Sequence, residues 1–304
     1  MLISINKAYY SRRMYFNSVK EGDLTEPTKH CVRVNGIRLY YVDWGGDGPI
    51  LLLFHGDMRT SRSWDAVSRS LTADYRVVAL DARGHGDSDW TPRGYRFAER
   101  IDDLAGFCDA LGLHDIIGVA HSTGGVVMAL CAQQHPGIFS RLALMEPMVV
   151  VDDRFHKMVA GREHAERSTW KSREALHDYL KQHPATSNWH PEVLRDVVAH
   201  EAYRRDDGLY DMKWSSATFN WKDRDGDHVD LKPVFAVLGL PILFIRSSGH
   251  QTRIKELNEV QDGIPDFHRL TIENTGHNMY MERPEAIANA LKAFAAGREL
   301  PPTL

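Results

Sequence analysis

Five short apolar runs punctuate the chain, at Ile50 to Phe54, Arg76 to Leu80, Ile116 to Ala120, Leu142 to Met145 and Ile242 to Ile245. Runs this short, without alternating polar residues, fit strands covered on both faces, as in a parallel sheet. Between most of them lie stretches with apolar residues at three-to-four spacing, Ser61 to Leu71, Phe97 to Leu111 and Gly124 to Gln134, the period of an amphipathic helix. Right-handed crossovers place such helices on both faces of one sheet. Ahead of them, Cys31 to Val34 and Ile37 to Trp44 flank Asn35-Gly36, the strongest short hairpin signal, and predict two antiparallel strands at the start of the sheet.

The rhythm stops after Met145 and resumes at Pro241. The intervening stretch, from about Val150 to Leu240, is rich in charge, His and Trp, with helical patterns at Ser172 to Gln182 and Pro191 to Tyr203. Asp206-Asp207-Gly208 and Asp223 to Asp227 mark loops within it, and the whole reads as an inserted helical lid. The expected organisation is an extension over residues 1–29, a core over 30–149 and 241–304, and a lid over 150–240. Most of the lid aromatics Trp170, Trp189, Trp214, Phe219 and Trp221 are expected to hold the lid together, with one or two lining a substrate pocket. The histidines His183, His190 and His200 match no zinc spacing and are read as carrying no Cys or tightly spaced carboxylate partner, so no metal is expected.

The 304 residues carry a net charge of −4 with the signs mixed, which offers no electrostatic reason for a nucleic acid or an anionic membrane as partner. Cys31, Cys108 and Cys131 are an odd set without metal-ligand spacing, read as buried free thiols in a reducing compartment. Met1 to Val19 has charges at Lys7, Arg12 and Arg13 but no continuous apolar core, and no other window has the length of a membrane span; a cytoplasmic protein is expected. Neither a P-loop nor a dinucleotide fingerprint is present, so no cofactor is expected.

The chemistry concentrates at Asp115 to Val127, where the strand Ile116 to Ala120 breaks at Ser122 and continues as a helix. A serine on such a sharp turn sits in a strained conformation, and the residues two before and two after it must be small; here they are Ala120 and Gly124. Partners are expected at the carboxyl ends of other strands, where ligands bind in open α/β sheets. His277 lies after the strand-like run Arg269 to Ile272 and ahead of the helical run Glu285 to Phe294, where its imidazole can swing to the serine. His55-Gly56-Asp57-Met58 ends another strand and aims the backbone N–H of Asp57 above Ser122, forming an oxyanion hole with that of Thr123.

These segments resemble the α/β-hydrolase fold superfamily, its lid-bearing esterase and lactonase kind. The matching pieces are His55-Gly56 with Ser63-Trp64, Asp81-Ala-Arg-Gly84-His-Gly86-Asp-Ser88, the turn at Ser122, and Gly276-His277 with Glu282-Arg-Pro284, spread over residues 30–298. The resemblance implies a mostly parallel eight-stranded sheet with helices on both faces, Ser122 as nucleophile, His277 as base, and Asp81 and His85 as turn supports. The acid departs from the common pattern. Many relatives carry it after the strand Pro241 to Ile245, but here that loop reads Arg246-Ser-Ser-Gly-His250-Gln-Thr, without a carboxylate. Some relatives carry it one strand earlier, where this chain has Glu146 before Pro147; Asp57, Asp152 and Asp153 are lesser candidates. The expected reaction is hydrolysis of an ester, lactone or related acyl bond of a small-molecule substrate through an acyl-enzyme on Ser122. A cofactor-independent oxygenase, a C–C bond hydrolase and a ligand-binding receptor remain as alternatives. Epoxide and haloalkane chemistry is disfavoured, because on this scaffold it resembles cases with a carboxylate nucleophile.

Overall fold

The computed structural model describes residues 26–220, 227–249, 264 and 266–304. Strands β1 (Thr28–Val34) and β2 (Ile37–Asp43) form the expected hairpin, turned by positive φ at Asn35 and Gly36. The sheet continues through β3 (Ile50–Phe54), β4 (Arg76–Leu80), β5 (Ile116–His121), β6 (Phe139–Met145), β7 (Ile242–Ser247) and β8 (Phe267–Ile272), in the spatial order β1-β2-β4-β3-β5-β6-β7-β8. Strands β3 to β8 pair in parallel, and β2 runs antiparallel to β4. The chain moves from β3 outward to β4 and then back across β3 to β5. That reversal opens a crevice at the carboxyl ends of β3 and β5, where ligands bind in such sheets.

The apolar runs are covered on both sides. Along β3, Leu51 and Leu53 join a cluster with Trp64, Leu71, Ile287 and Leu291, while Leu52 and Phe54 join one with Ile101, Leu104, Val126 and Phe235. The first cluster holds helices α1 (Asp65–Leu71) and, at the carboxyl end of the chain, Pro284–Ala295; the second holds α2 (Phe97–Leu111) and α3 (Thr123–Gln134). The stretch expected as one helix from Ser61 is instead a 3₁₀ turn over Ser61–Trp64 followed by α1. Asp81 Oδ1 accepts the Ser61 N–H at 2.6 Å and Thr60 Oγ1 accepts that of Arg62, and these outside bonds tighten the entry. Cys108 and Cys131 are buried, but Cys31 is exposed, contrary to expectation. It stands on β1, the edge strand of the sheet, where few neighbours cover it.

Between β6 and β7 the chain leaves the sheet through Val150–Val151, forms α4 (Asp153–Val159), α5 (Arg173–Gln182) and α6 (Pro191–His200), and returns through Val229–Asp230 and α7 (Leu231–Val237). The helical pattern extended to Tyr203 stops at His200, because Ala202–Arg204 pairs with Tyr210–Met212 across the Asp207-Gly208 turn. Leu176, Leu180, Trp189, Val193 and Val197 join the cluster that covers α1. Arg69 of α1 reaches both Asp196 oxygens of α6 at 2.8 and 2.9 Å. After β8 follow α8 (Met279–Glu282) and α9 (Pro284–Ala295). Among the described residues no helix is long and apolar enough to cross a membrane. The segment 1–25, Trp221, most of the loop Asp223 to Asp227, and His250 lie outside the described residues.

Asp81 and His85 hold the loop after β4. Asp81 Oδ2 accepts the Asp87 N–H at 2.9 Å, and burial pushes its carboxyl up to about 6. His85 donates Nδ1–H to the Arg83 carbonyl at 3.0 Å and accepts the Met58 N–H on Nε2 at 3.3 Å. Burial, with the nearby Arg100 charge, lowers its pKa from 6.5 to about 4. Between those values the unfolded chain binds a proton that the folded chain refuses, so acidification favours unfolding. The contribution of His85 to stability is expected to fall by about 3 kcal/mol as pH drops through this window, while the raised Asp81 carboxyl acts in the opposite sense. Urea melts at about pH 4.5 and about pH 7 should show a smaller pH difference for His85→Gln than for the parent chain.

Candidate active site

Backbone strain gathers at the carboxyl edge of the sheet. Met58, Ser122, Glu146 and Asn274 follow β3, β5, β6 and β8, and they have φ of 65°, 53°, 40° and 56°. Left-handed conformations cost non-glycine residues energy that the surrounding structure must offset, and they cluster where function needs them. Ser122, at φ 53° and ψ −123°, is pinned by its N–H donating to the Met145 carbonyl at 2.9 Å. A side chain at Gly124 would place its Cβ 2.3 Å from the His55 carbonyl oxygen, so the turn closes only with glycine there. Glu146 is held in the same manner by its N–H on the Ile245 carbonyl at 2.8 Å, and Pro147 after it disfavours the helical region for Glu146.

Three side chains converge from three strand ends. His277 Nε2 lies 3.1 Å from Ser122 Oγ, and His277 Nδ1 lies 2.7 Å from Glu146 Oε2. With Glu146 ionised, Nδ1 carries the proton and donates it to the carboxylate, leaving Nε2 to accept from the serine hydroxyl. Burial alone would raise the Glu146 pKa, but the hydrogen bond and charge of His277 and two bonds from Ser247 outweigh it, and its carboxyl sits below the ordinary value. The Ser247 N–H and Oγ–H both donate to Glu146 Oε1, at 2.9 and 2.5 Å. The stretch 246–249 lacks a carboxylate, but Ser247, the last residue of β7, supplies the hydroxyl that orients the one following β6. The lesser acid candidates are engaged elsewhere. Asp57 pairs with Arg100 at 3.0 Å, Asp152 caps α4 and pairs with Arg154, and Asp153 meets His228 at 2.9 Å.

The loop that carries His277 has its own supports. Both oxygens of Glu282 accept the Gly276 N–H, at 3.0 and 3.2 Å. His121 Nε2 donates to the His277 carbonyl at 2.8 Å, and the two rings lie 4.5 Å apart. Tyr280 stacks on Trp64 and donates to Ser63 Oγ at 3.1 Å. Thr123, at the first turn of α3, has a backbone N–H without an intrahelical partner. The Asp57 N–H donates to Thr123 Oγ1 at 2.9 Å, so the two expected oxyanion donors are neighbours and a hydroxyl stands at one of them.

Sequence reasoning missed two contributors. Ser247 was visible only as a Ser-Ser pair in a loop lacking its carboxylate. Glu201 left no local signal: it is fully buried beyond α6, and Oε1 accepts the Thr60 N–H and hydroxyl at 3.2 and 3.1 Å while Oε2 faces Arg59 at 3.1 Å. It thereby ties the inserted segment to the loop that follows Asp57. Among the aromatics, Trp189 and Phe219 are buried, and Trp214 packs under the Arg167 guanidinium at 3.9 Å. His183 and His190 serve as local caps.

A mostly parallel eight-stranded sheet with a serine on the β5 turn and a histidine after the last strand defines the α/β-hydrolase class of fold. The sequence model of the Alpha/beta hydrolase family matches residues 50–290, and the chain belongs to that family. Over 253 residues it is 24% identical to 2-(acetamidomethylene)succinate hydrolase of Mesorhizobium japonicum, covering 82% of this chain and 88% of that one. The crystal structure of E-2-(acetamidomethylene)succinate hydrolase superimposes with a TM-score of 0.79 at 23% identity, over 89% of this chain and 100% of the other. A shorter match, 31% identical over 147 residues, joins 42% of this chain to 41% of epoxide hydrolase 4 of Mus musculus.

Proposed function

We propose that the protein is a serine hydrolase that cleaves a carboxylic ester, lactone or related acyl bond of a small molecule through an acyl-enzyme on Ser122. The observation that carries this reading is the continuous path from Ser122 Oγ through His277 to Glu146, at 3.1 and 2.7 Å. His277 Nε2 takes the serine proton as Oγ attacks the carbonyl, and the Glu146 carboxylate stabilises the imidazolium. The developing oxyanion takes the N–H of Thr123 and that of Asp57, replacing the Thr123 hydroxyl at the latter. The leaving group receives the proton from His277, and water then attacks the ester on Ser122 by the same route in reverse.

The relative matched over most of the chain is named as a hydrolase, which supports the reaction class. A serine rather than a carboxylate on the β5 turn supports acyl transfer over epoxide opening. Residues 150–240 act as the lid in this proposal, and a reducing, cytoplasmic setting suits the buried thiols of Cys108 and Cys131. The test is a panel of short p-nitrophenyl esters with fluorophosphonate labelling. Turnover and labelling that both vanish in Ser122→Ala are expected, and a parent chain that does neither refutes the proposal.

Ser247 separates positioning from chemistry. Ser247→Ala keeps the backbone donor but loses the hydroxyl bond to the charged carboxylate, a contribution of about 1.5–3 kcal/mol. The expected result is a kcat lower by roughly tenfold to a hundredfold with KM little changed. Steady-state kinetics on the best ester of the panel measure it, and an unchanged kcat would show that Ser247 does not orient the acid.

A further inference from the structure

We propose that Asp153, His156 and His228 form a binding site for a zinc-class divalent ion that joins the two legs of the inserted segment. The legs are Val150–Val151, leaving the sheet, and Val229–Asp230, returning to it, and they pair antiparallel with Val229 opposite Val151. Asp153 opens α4 and His156 follows one turn later, so the two share a helix face. His228 immediately precedes the returning leg. One donor atom from each of the three residues lies within 4.8 Å of the other two. His228 Nε2 and Asp153 Oδ1 are already 2.9 Å apart, and the His156 and His228 rings stack at 5.2 Å and 29°.

Tetrahedral zinc ligands at about 2.0–2.1 Å from the ion stand about 3.3 Å from one another, so small side-chain rotations complete the coordination. Two imidazoles and one carboxylate are the donor set that zinc, nickel and copper ions take readily, whereas magnesium and calcium prefer oxygen alone. Asp153 is exposed, which lets an ion and a fourth, water ligand arrive from solvent. The ion would close a loop between residues 153 and 228 and stiffen the base of the insertion.

A second cluster shows what a poor site looks like. Asp65, Asp196 and His200 also gather their donors within 4.8 Å, in correction of the expectation that His200 lacks carboxylate company. Asp196 shares α6 with His200 one turn away, and Asp65 comes from α1, which the sequence does not place beside α6. Arg69 holds both Asp196 oxygens, and Arg62 Nε holds Asp65 Oδ2 at 2.7 Å. Two guanidinium groups, that of Arg62 buried and that of Arg69 half-buried, already neutralise that site and repel a cation. Among the described residues Asp153 has no guanidinium partner, and the neighbouring Arg154 is held by Asp152 at 2.7 Å.

The site is independent of the serine chemistry, and so is its test. Tag-free protein stripped with EDTA is titrated with zinc chloride by calorimetry, and with cobalt chloride by absorbance. The expected result is one ion per chain at micromolar concentration, with a melting temperature raised by zinc. His228→Ala and Asp153→Asn should each weaken binding by about tenfold or more, while His183→Ala leaves it unchanged. Absence of stoichiometric binding, or binding that survives intact in both His156→Ala and His228→Ala, would overturn the proposal.

Discussion

Ser122→Ala is expected to lower kcat on p-nitrophenyl esters by on the order of 10⁶-fold, the size of loss seen when a serine relay is deprived of its nucleophile. The residual rate reflects binding and the oxyanion donors alone, which do not need the hydroxyl. Fold should be unaffected, because Ser122 Oγ makes its contact with His277 Nε2 and the turn is held by backbone bonds. Circular dichroism and a thermal melt of the variant check the second point, and active-site labelling checks the first. A variant that retains even a hundredth of the parent rate would mean that a different group attacks the substrate, or that the reaction needs no nucleophile from this turn.

Glu146→Gln is expected to lower kcat by about 10⁴-fold, the effect of neutralising a relay acid while keeping its shape. The physical reason lies in the tautomer. A carboxylate accepts from Nδ1 and leaves Nε2 free to take the serine proton. A carboxamide with its oxygen on Ser247 turns its NH₂ toward His277, so that Nδ1 accepts and Nε2 becomes a donor facing Ser122. Glu146→Asp keeps the charge but shortens the reach to His277, so intermediate activity is expected. Measuring kcat and KM for both variants decides the assignment: Glu146→Gln above a tenth of parent activity would place the acid elsewhere. The same pair separates the acid role from that of Ser247, whose loss leaves the charge in place and only loosens it.

Much of this arrangement is legible in the one-dimensional pattern. Short apolar runs separated by helical periods specify parallel strands buried on both faces, and the observed strands differ from the runs by a residue or a few at their ends. Asn35-Gly36, Ala120 and Gly124 are readable because their demands are local, set by backbone sterics within a few residues. Ser122 and His277 follow from the strand-end logic, Glu146 from the resemblance to relatives that carry the acid one strand earlier, and the structure brings those three ends together. The register of β6 beside both β5 and β7 decides that Glu146, rather than a residue after β7, faces His277 Nδ1.

What escaped the sequence is non-local. The burial of Glu201 against Thr60 and Arg59, the capture of the Asp57 side chain by Arg100, and the meeting of Asp153 and His156 with His228 all join residues far apart along the chain. No periodicity records such pairs, because helix and strand periods report only which face a residue shares with its near neighbours. The sequence by itself determined the class of sheet, the strained turn at Ser122 and the kinds of residue available at its edge, since sterics and burial act over a few residues at a time. Tertiary structure decided which of the candidate carboxylates meets the histidine, which hydroxyl orients it and that the Asp57 N–H meets the Thr123 hydroxyl, because hydrogen bonds act over about 3 Å and only strand order and packing bring distant atoms that close.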